Sequence, residues 1–202
     1  MKTSHLTAEK IMDTALYLAE RSSWEDLRLF DIAQFLNVKL TDIYPHFREK
    51  NALIPAFFER ADKAMLEVAA KPEILNLSSE DRLAQVLISW FSSIQNHHQV
   101  AKEMIWGQLE PGHLHVQLRA LLRVSRTVQW WREAAQRSTV NFQRAIEETG
   151  LTAIYIATLM HWLYDNSEKA VETNRFLERQ LKRAHWFAVF CKKLCKCNKV
   201  AS

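Results

Sequence analysis

The sequence predicts an all-α protein, and three observations predict it. Only three Gly and four Pro occur in 202 residues. No stretch alternates apolar and polar residues with hairpin turns between. Leu, Ala, Gln, Glu, Lys and Arg dominate instead, and these are strong helix formers. An apolar content of 48%, with ten Phe and seven Trp, supplies the core of one compact domain or of a small module on a larger one.

The elements follow in order. Thr7 is an N-cap, with Glu9 in the first turn where the helix dipole favours negative charge. Ile11, Ala15, Leu18 and Ala19 recur at helical spacing until Ser22 and Ser23 break the helix. A short second helix carries Leu29, Ile32, Ala33 and Leu36 on one face. Asn37 tolerates the left-handed backbone that ends a helix, and Val38 packs behind the turn. A third helix runs from about Lys39 to Tyr44, where Pro45 cannot continue it. Two short helices joined by a tight turn, behind a longer first one, make a helix-turn-helix.

A connecting helix spans about Lys50 to Ala70, with Leu53, Phe57, Ala61, Ala64, Leu66 and Val68 mostly inward. The stretch from Lys71 to Asp81 reads as a linker, and Ser79 as the cap of the next helix, whose apolar members are Leu83, Val86, Leu87, Trp90, Phe91 and Ile94. Pro111 and Gly112 mark a turn. Helices are expected from about Leu114 to Arg123 and from Thr127 to Glu148, with Gly150 as punctuation. "LTAIYIATLMHWLYDN" is a nearly all-round apolar helix, of the kind buried in a core or an interface. The last helix starts near Ala170 and enters a basic tail. The domain boundaries expected are 1–50, 51–181 and 182–202.

Composition excludes several classes. Cys191, Cys195 and Cys197 crowd the C-terminus at a spacing that fits no common zinc pattern, so free thiols in a reducing compartment are expected. The N-terminus lacks a signal-peptide pattern and no run of ~18 apolar residues occurs, so a cytoplasmic protein is expected. His97-His98 and His113-x-His115 lack Cys or acidic partners at ligand spacing. There is no Gly-rich phosphate loop and no nucleophile elbow. The sequence therefore predicts no enzyme, no catalytic residue, no metal site and no cofactor.

The net charge of +4 is a property of the tail. Seven Lys/Arg and no acid follow Glu178, leaving 20 basic against 23 acidic residues in 1–178. From Trp24 to Lys50 there are four Lys/Arg and five acids.

The stretch "NVKLTDIYPHFREKNAL" and the helix before it resemble the TetR family of bacterial transcriptional regulators. The matching positions are Ile32, Ala33, Val38, Ile43, Tyr44, His46, Phe47, Lys50 and Leu53. The motif resemblance covers roughly residues 7–66, and the rest of the chain matches only in being helical. It implies an N-terminal helix-turn-helix and a larger helical domain that dimerises and binds an inducer. It also implies a partner, double-stranded DNA, bound by a homodimer. Tyr44 and His46 would donate to phosphate oxygens, joined by Arg28 and by Lys50 at the start of the next helix. Base reading would fall to Lys39, Leu40 and Thr41, while Phe47 and Val38 would be core. The chain departs from the family pattern at Asn37 (usually Gly), at Lys39 (usually a capping Ser) and at Leu27-Arg28 (usually capping residues), with Ser23 a nearby substitute cap. Asp42 puts a carboxylate where family members present a small residue to the groove. In the helical domain Trp90, Trp106, Trp130, Trp131, Phe142, Tyr155, Met160 and Trp162 are candidates to line a pocket for a hydrophobic small molecule.

Residues 151–181 are similar to the lipid-binding accessory proteins of ubiquinone biosynthesis, which have a TetR-like fold without DNA binding. The resemblance rests on Ala153-Ile154-Tyr155, on the turn at Asp165 and on the run Arg175-Phe176-Leu177-Glu178-Arg179. It implies an alternative: a lipid- or quinone-binding accessory protein docked to a membrane by its C-terminal helix. In the tail, Trp186, Phe187, Phe190 and Leu194 share one arc of a helical wheel, with lysines such as Lys192 on the opposite one and Lys193 at the border of the aromatic arc. That pattern suits an anionic membrane surface, and equally a dimer-interface helix with a solvated lysine face.

Overall fold

The computed structural model describes residues 6–109, 114–139 and 141–198, and among them it is helical with no strand. The α-helices are α1 Ala8–Ala19, α2 Leu29–Leu36, α3 Leu40–Ile43, α4 Leu53–Ala69, α5 Pro72–Leu75, α6 Ser79–Ile94, α7 His98–Leu109, α8 Leu114–Ala134, α9 Asn141–Trp162 and α10 Val171–Asn198. The chain packs as two compact units, one from 1–63 with 93–123 and one from 64–92 with 124–202.

In the first unit α1 begins as its sequence dictates, with the Thr7 hydroxyl accepting from the Lys10 backbone N–H at 3.2 Å. Its apolar stripe buries Ile11, Met12, Ala15, Leu16 and Ala19 with Ile32 and Ala33 of α2 and Phe57 and Phe58 of α4. Val100, Ala101 and Met104 of α7 are buried in the same unit. Three polar ties link its elements. The Trp24 amide donates to Glu103 at 2.7 Å, Arg60 donates to Asp13 and to the Glu9 carbonyl, and His97 meets Glu20 at 2.6 Å.

The second unit is built around aromatic rings. Trp90 lies edge-on to Phe91 and to Tyr155, with centroids 5.0 and 5.6 Å apart, and Phe91 reaches Trp162 at 5.8 Å. Trp131 is fully buried, and its indole N–H donates to the Leu83 carbonyl at 2.9 Å. A buried indole without such an acceptor would lose the hydrogen bond it has in water.

Several boundaries differ from expectation. The 71–81 linker contains the short helix α5, started by Pro72 at its first position. Ser78, not Ser79, caps α6: its hydroxyl accepts from the Asp81 amide and donates to the Asp81 carboxylate. The expected break between Arg123 and Thr127 is absent, because α8 runs unbroken through them. The break comes instead after Ala134, over 135–139, inside the helix predicted from Thr127 to Glu148, and α9 then runs straight through Gly150. Gly150 sits in open space, so nothing there requires a glycine.

The break has a polar cause. Gln136 takes a left-handed backbone (φ 55) and the Arg137 amide returns to the Arg132 carbonyl at 3.2 Å, which closes the end of α8. The Arg132 guanidinium, almost fully buried, donates to the Thr139 carbonyl and hydroxyl at 2.7 and 2.9 Å. Glu147 of α9 accepts from Arg137 and from Thr139, and its second oxygen lies 3.5 Å from Arg132 Nε. Burial pushes the Glu147 carboxyl up, but these donors and the two guanidinium charges together hold it below its ordinary value.

A second polar staple joins α9 to α10. Asp165 accepts from the Ser167 amide, the Thr173 amide and the Thr173 hydroxyl at 2.6–2.8 Å. Desolvation pushes its carboxyl up, and the hydrogen bonds from Ser167 and Thr173 outweigh that and hold it down at about 2. The folded value lies below the ordinary 3.8, so the stabilisation is complete above pH 4 and lost as pH falls toward 2. The denaturant midpoint of the wild-type protein should therefore drop across that window. Asp165→Asn should be less stable by about 2 kcal/mol at neutral pH and show a flatter profile below pH 4, measured by urea unfolding.

Candidate nucleic-acid interface

The turn between α2 and α3 is closed by Asn37, which adopts φ 52 and ψ 46, while the Val38 amide donates to the Ala33 carbonyl at 3.0 Å. Asparagine tolerates this left-handed conformation, so the glycine of the family pattern is not needed. Ile43 and Phe47 are buried and anchor α3, while Val38 is half-buried.

Both short helices start in the same way. The Asp31 carboxylate accepts from the Arg28 backbone N–H at 2.9 Å, and the Asp42 carboxylate accepts from the Lys39 backbone N–H at 2.9 Å. Each acid stands three residues into its helix and reaches back to the residue before it, the reciprocal half of a capping box. Asp42 is thus committed to the fold of α3, and the cap that Lys39 cannot provide is supplied from inside the helix. Ser23 caps the preceding turn at Asp26, not α2. The signal in the sequence is the spacing, Arg28-x-x-Asp31 and Lys39-x-x-Asp42.

Outward from this scaffold stand Lys39, Leu40, Thr41, Tyr44 and His46, all exposed, Tyr44 at 59%. The Arg48 guanidinium lies 5.9 Å from the Tyr44 ring, on the same side. Arg28 is also exposed, but its guanidinium is forked onto Asp31 at 2.6 and 3.0 Å. That pairing raises the Arg28 pKa and lowers that of Asp31. Lys50 is half-buried, its ammonium donating to the Glu25 carbonyl at 2.7 Å and lying 5.4 Å from the Trp24 ring. Desolvation lowers the Lys50 pKa against the opposing charges of Glu25 and Asp26. Of the seven residues expected to face DNA, Lys39, Leu40, Thr41, Tyr44 and His46 form one exposed group, while Arg28 and Lys50 are tied to neighbours.

The candidate ligand residues divide. Trp90, Tyr155 and Trp162 come together in one buried aromatic cluster, and Trp131 is buried in the same unit. Met160 is half-buried, Trp106 and Trp130 are exposed, and the side chain of Phe142 lies outside the described residues. On α10, Trp186 and Phe187 are exposed, while the side chains of Phe190, Lys192, Lys193 and Leu194 lie outside the described residues. Among the described residues no helix is long and apolar enough to cross a membrane.

Comparison with solved structures places this arrangement. The chain is 43% identical to the TetR transcriptional regulator from Nitrosomonas europaea ATCC 19718, with 89% of this chain and 98% of that one covered and a TM-score of 0.80. The chain belongs to the TetR family of transcriptional regulators. The TetR family transcriptional regulator PfmR from Thermus thermophilus shares the fold at 15% identity, with 85% of this chain and 97% of that one covered and a TM-score of 0.51. The COQ9 family model matches residues 118–188 of this TetR-family chain. No curated protein matches it in sequence.

The caps of the TetR-type helix-turn-helix are directly testable. Asp42→Ala leaves the Lys39 amide without its acceptor and should lower stability by about 1 kcal/mol, read as a fall in the thermal unfolding midpoint. Asp42→Asn, which keeps an acceptor oxygen, should recover much of it.

Proposed function

We propose that this TetR-family protein is a one-component transcriptional regulator that binds operator DNA as a homodimer and responds to a hydrophobic small molecule. One observation carries the reading: Tyr44 and His46, just past the end of α3, are exposed, while Ile43 and Phe47 beside them are buried. A phenol and an imidazole there can donate to phosphate oxygens, with Lys39 and Arg48 adding charge. The identity to a TetR transcriptional regulator over nearly all of that protein's length supports it.

Homodimerisation is supported by α9. Ala145, Thr149, Thr152, Ala153 and Ile156 lie along one face of it together with Glu148, and all but Thr152 and Glu148 are exposed. Small residues at this spacing let a second helix approach closely. Two copies related by a two-fold axis would present two α3 helices to a pseudo-palindromic operator, which requires them about 34 Å apart. A ligand preferred by a dimer with the wrong spacing would release the DNA. The apolar ligand would be taken up among the rings around Trp90, Tyr155 and Trp162.

Band-shift titration on the DNA upstream of the gene tests the reading. With net −1 over residues 24–50, binding should be detectable at ~50 mM salt and lost by ~200 mM. Tyr44→Ala should weaken it about tenfold or more, one hydrogen bond being lost in each half of the dimer. No shift at low salt sinks the proposal.

The match of residues 118–188 to COQ9, with Trp186 and Phe187 exposed on α10, favours a second reading. In it the protein carries a lipid or quinone and docks on an anionic membrane through the tail. The expected outcome is co-sedimentation with phosphatidylglycerol vesicles that is abolished by truncation after Arg183, together with no DNA binding. Equal behaviour of full-length and truncated chains excludes it.

A further inference from the structure

We infer that α3 reads thymine, and that Leu40 does so by covering the C5-methyl group in the major groove. The inference rests on the operator-binding reading above and names the base edge which that site takes.

Residues 39–44 are Lys-Leu-Thr-Asp-Ile-Tyr. None is Arg, Asn or Gln, so Lys39 alone is of a type that pairs with the guanine edge, and no Asn or Gln is present to pair with adenine. Asp42 is of the type that accepts from the cytosine amino group, but its Oδ2 is committed to the Lys39 amide at 2.9 Å. Ile43 is buried. The side chains left to read bases are therefore Lys39, Leu40 and Thr41, all exposed, with Leu40 at 47% the apolar one and Tyr44, 59% exposed, following at the end of the helix.

Tyr44 can reach a phosphate through its phenol, whereas Leu40 has no polar side-chain atom. It gains free energy only by removing apolar surface from water. Among the groups that base pairs display in the major groove, the thymine methyl is the apolar one. Placed over a cytosine amino group or a guanine carbonyl, the same side chain would strip water from a polar atom and return nothing. Leu40 thus discriminates in both directions, toward a methyl and against an uncovered polar edge. The Thr41 hydroxyl accommodates either kind of neighbour.

The experiment replaces thymine by deoxyuridine, which deletes the methyl and nothing else. An operator is first enriched from a random duplex pool with the full-length protein at ~50 mM salt, and each thymine is then exchanged singly. One thymine per half-site should show a penalty of about fourfold, the equivalent of ~0.8 kcal/mol for one buried methyl, and about tenfold or more when both half-sites are exchanged. Leu40→Ala should bind thymine and uracil operators equally. Because Leu40 is exposed, the thermal midpoint of that variant should match the wild type. A flat uracil scan on a tightly bound operator, or a uracil penalty that persists in Leu40→Ala, overturns the inference and leaves operator binding standing. A pool from which no duplex is retained overturns both.

Discussion

A carboxylate reaching back one turn to a backbone amide is the constraint on which the helix-turn-helix end of this molecule depends. Asp31 does it for α2 and Asp42 for α3. Neither helix is long enough to be stable by its own hydrogen bonds, since nucleation costs more than a turn or two of helix returns. Buried Ile32, Ala33, Ile43 and Phe47 supply the packing, and the two acids settle where each helix starts. The orientation of Leu40, Thr41 and Tyr44 follows from that starting point. The same two acids make the local charge negative, so what fixes the fold of this unit also works against any attraction for phosphate.

Much of this end was legible in the sequence. The Thr7 cap, the Ile32-Ala33 pair, the left-handed Asn37 and the stop at Pro45 all rest on local rules, and each appears where those rules put it. Asp42 differs: the family pattern points it at the groove, whereas its spacing from Lys39 sends it to the backbone. The middle of the chain was harder to read. The break after α8 at 135–139 is made by long polar side chains meeting across sequence, Arg132 and Arg137 with Thr139 and Glu147. No Gly or Pro announces it, and the nearest glycine, Gly150, sits within a helix.

The aromatic cluster was legible in part for a physical reason. Trp90, Tyr155 and Trp162 fall on the inner faces of α6 and α9, where helical spacing predicts burial, and they are buried. Trp106 and Trp130 are exposed despite their residue type. Single large apolar residues on a surface are ordinary, so residue type alone did not say which tryptophans the core would take. On α10 Trp186 and Phe187 are exposed at the end of the COQ9 match, which stops at residue 188, ahead of Lys192 and Lys193.

The seven tryptophans also divide the protein optically. Trp24, Trp90, Trp131 and Trp162 are shielded from solvent, while Trp106, Trp130 and Trp186 sit on α7, α8 and α10 in contact with it. Intrinsic fluorescence therefore contains a blue-shifted population that acrylamide does not reach and a red-shifted population that it does. A molecule that covers one of these three exposed indoles lowers the quenchable fraction, so the native chain carries its own label for occupancy at those positions.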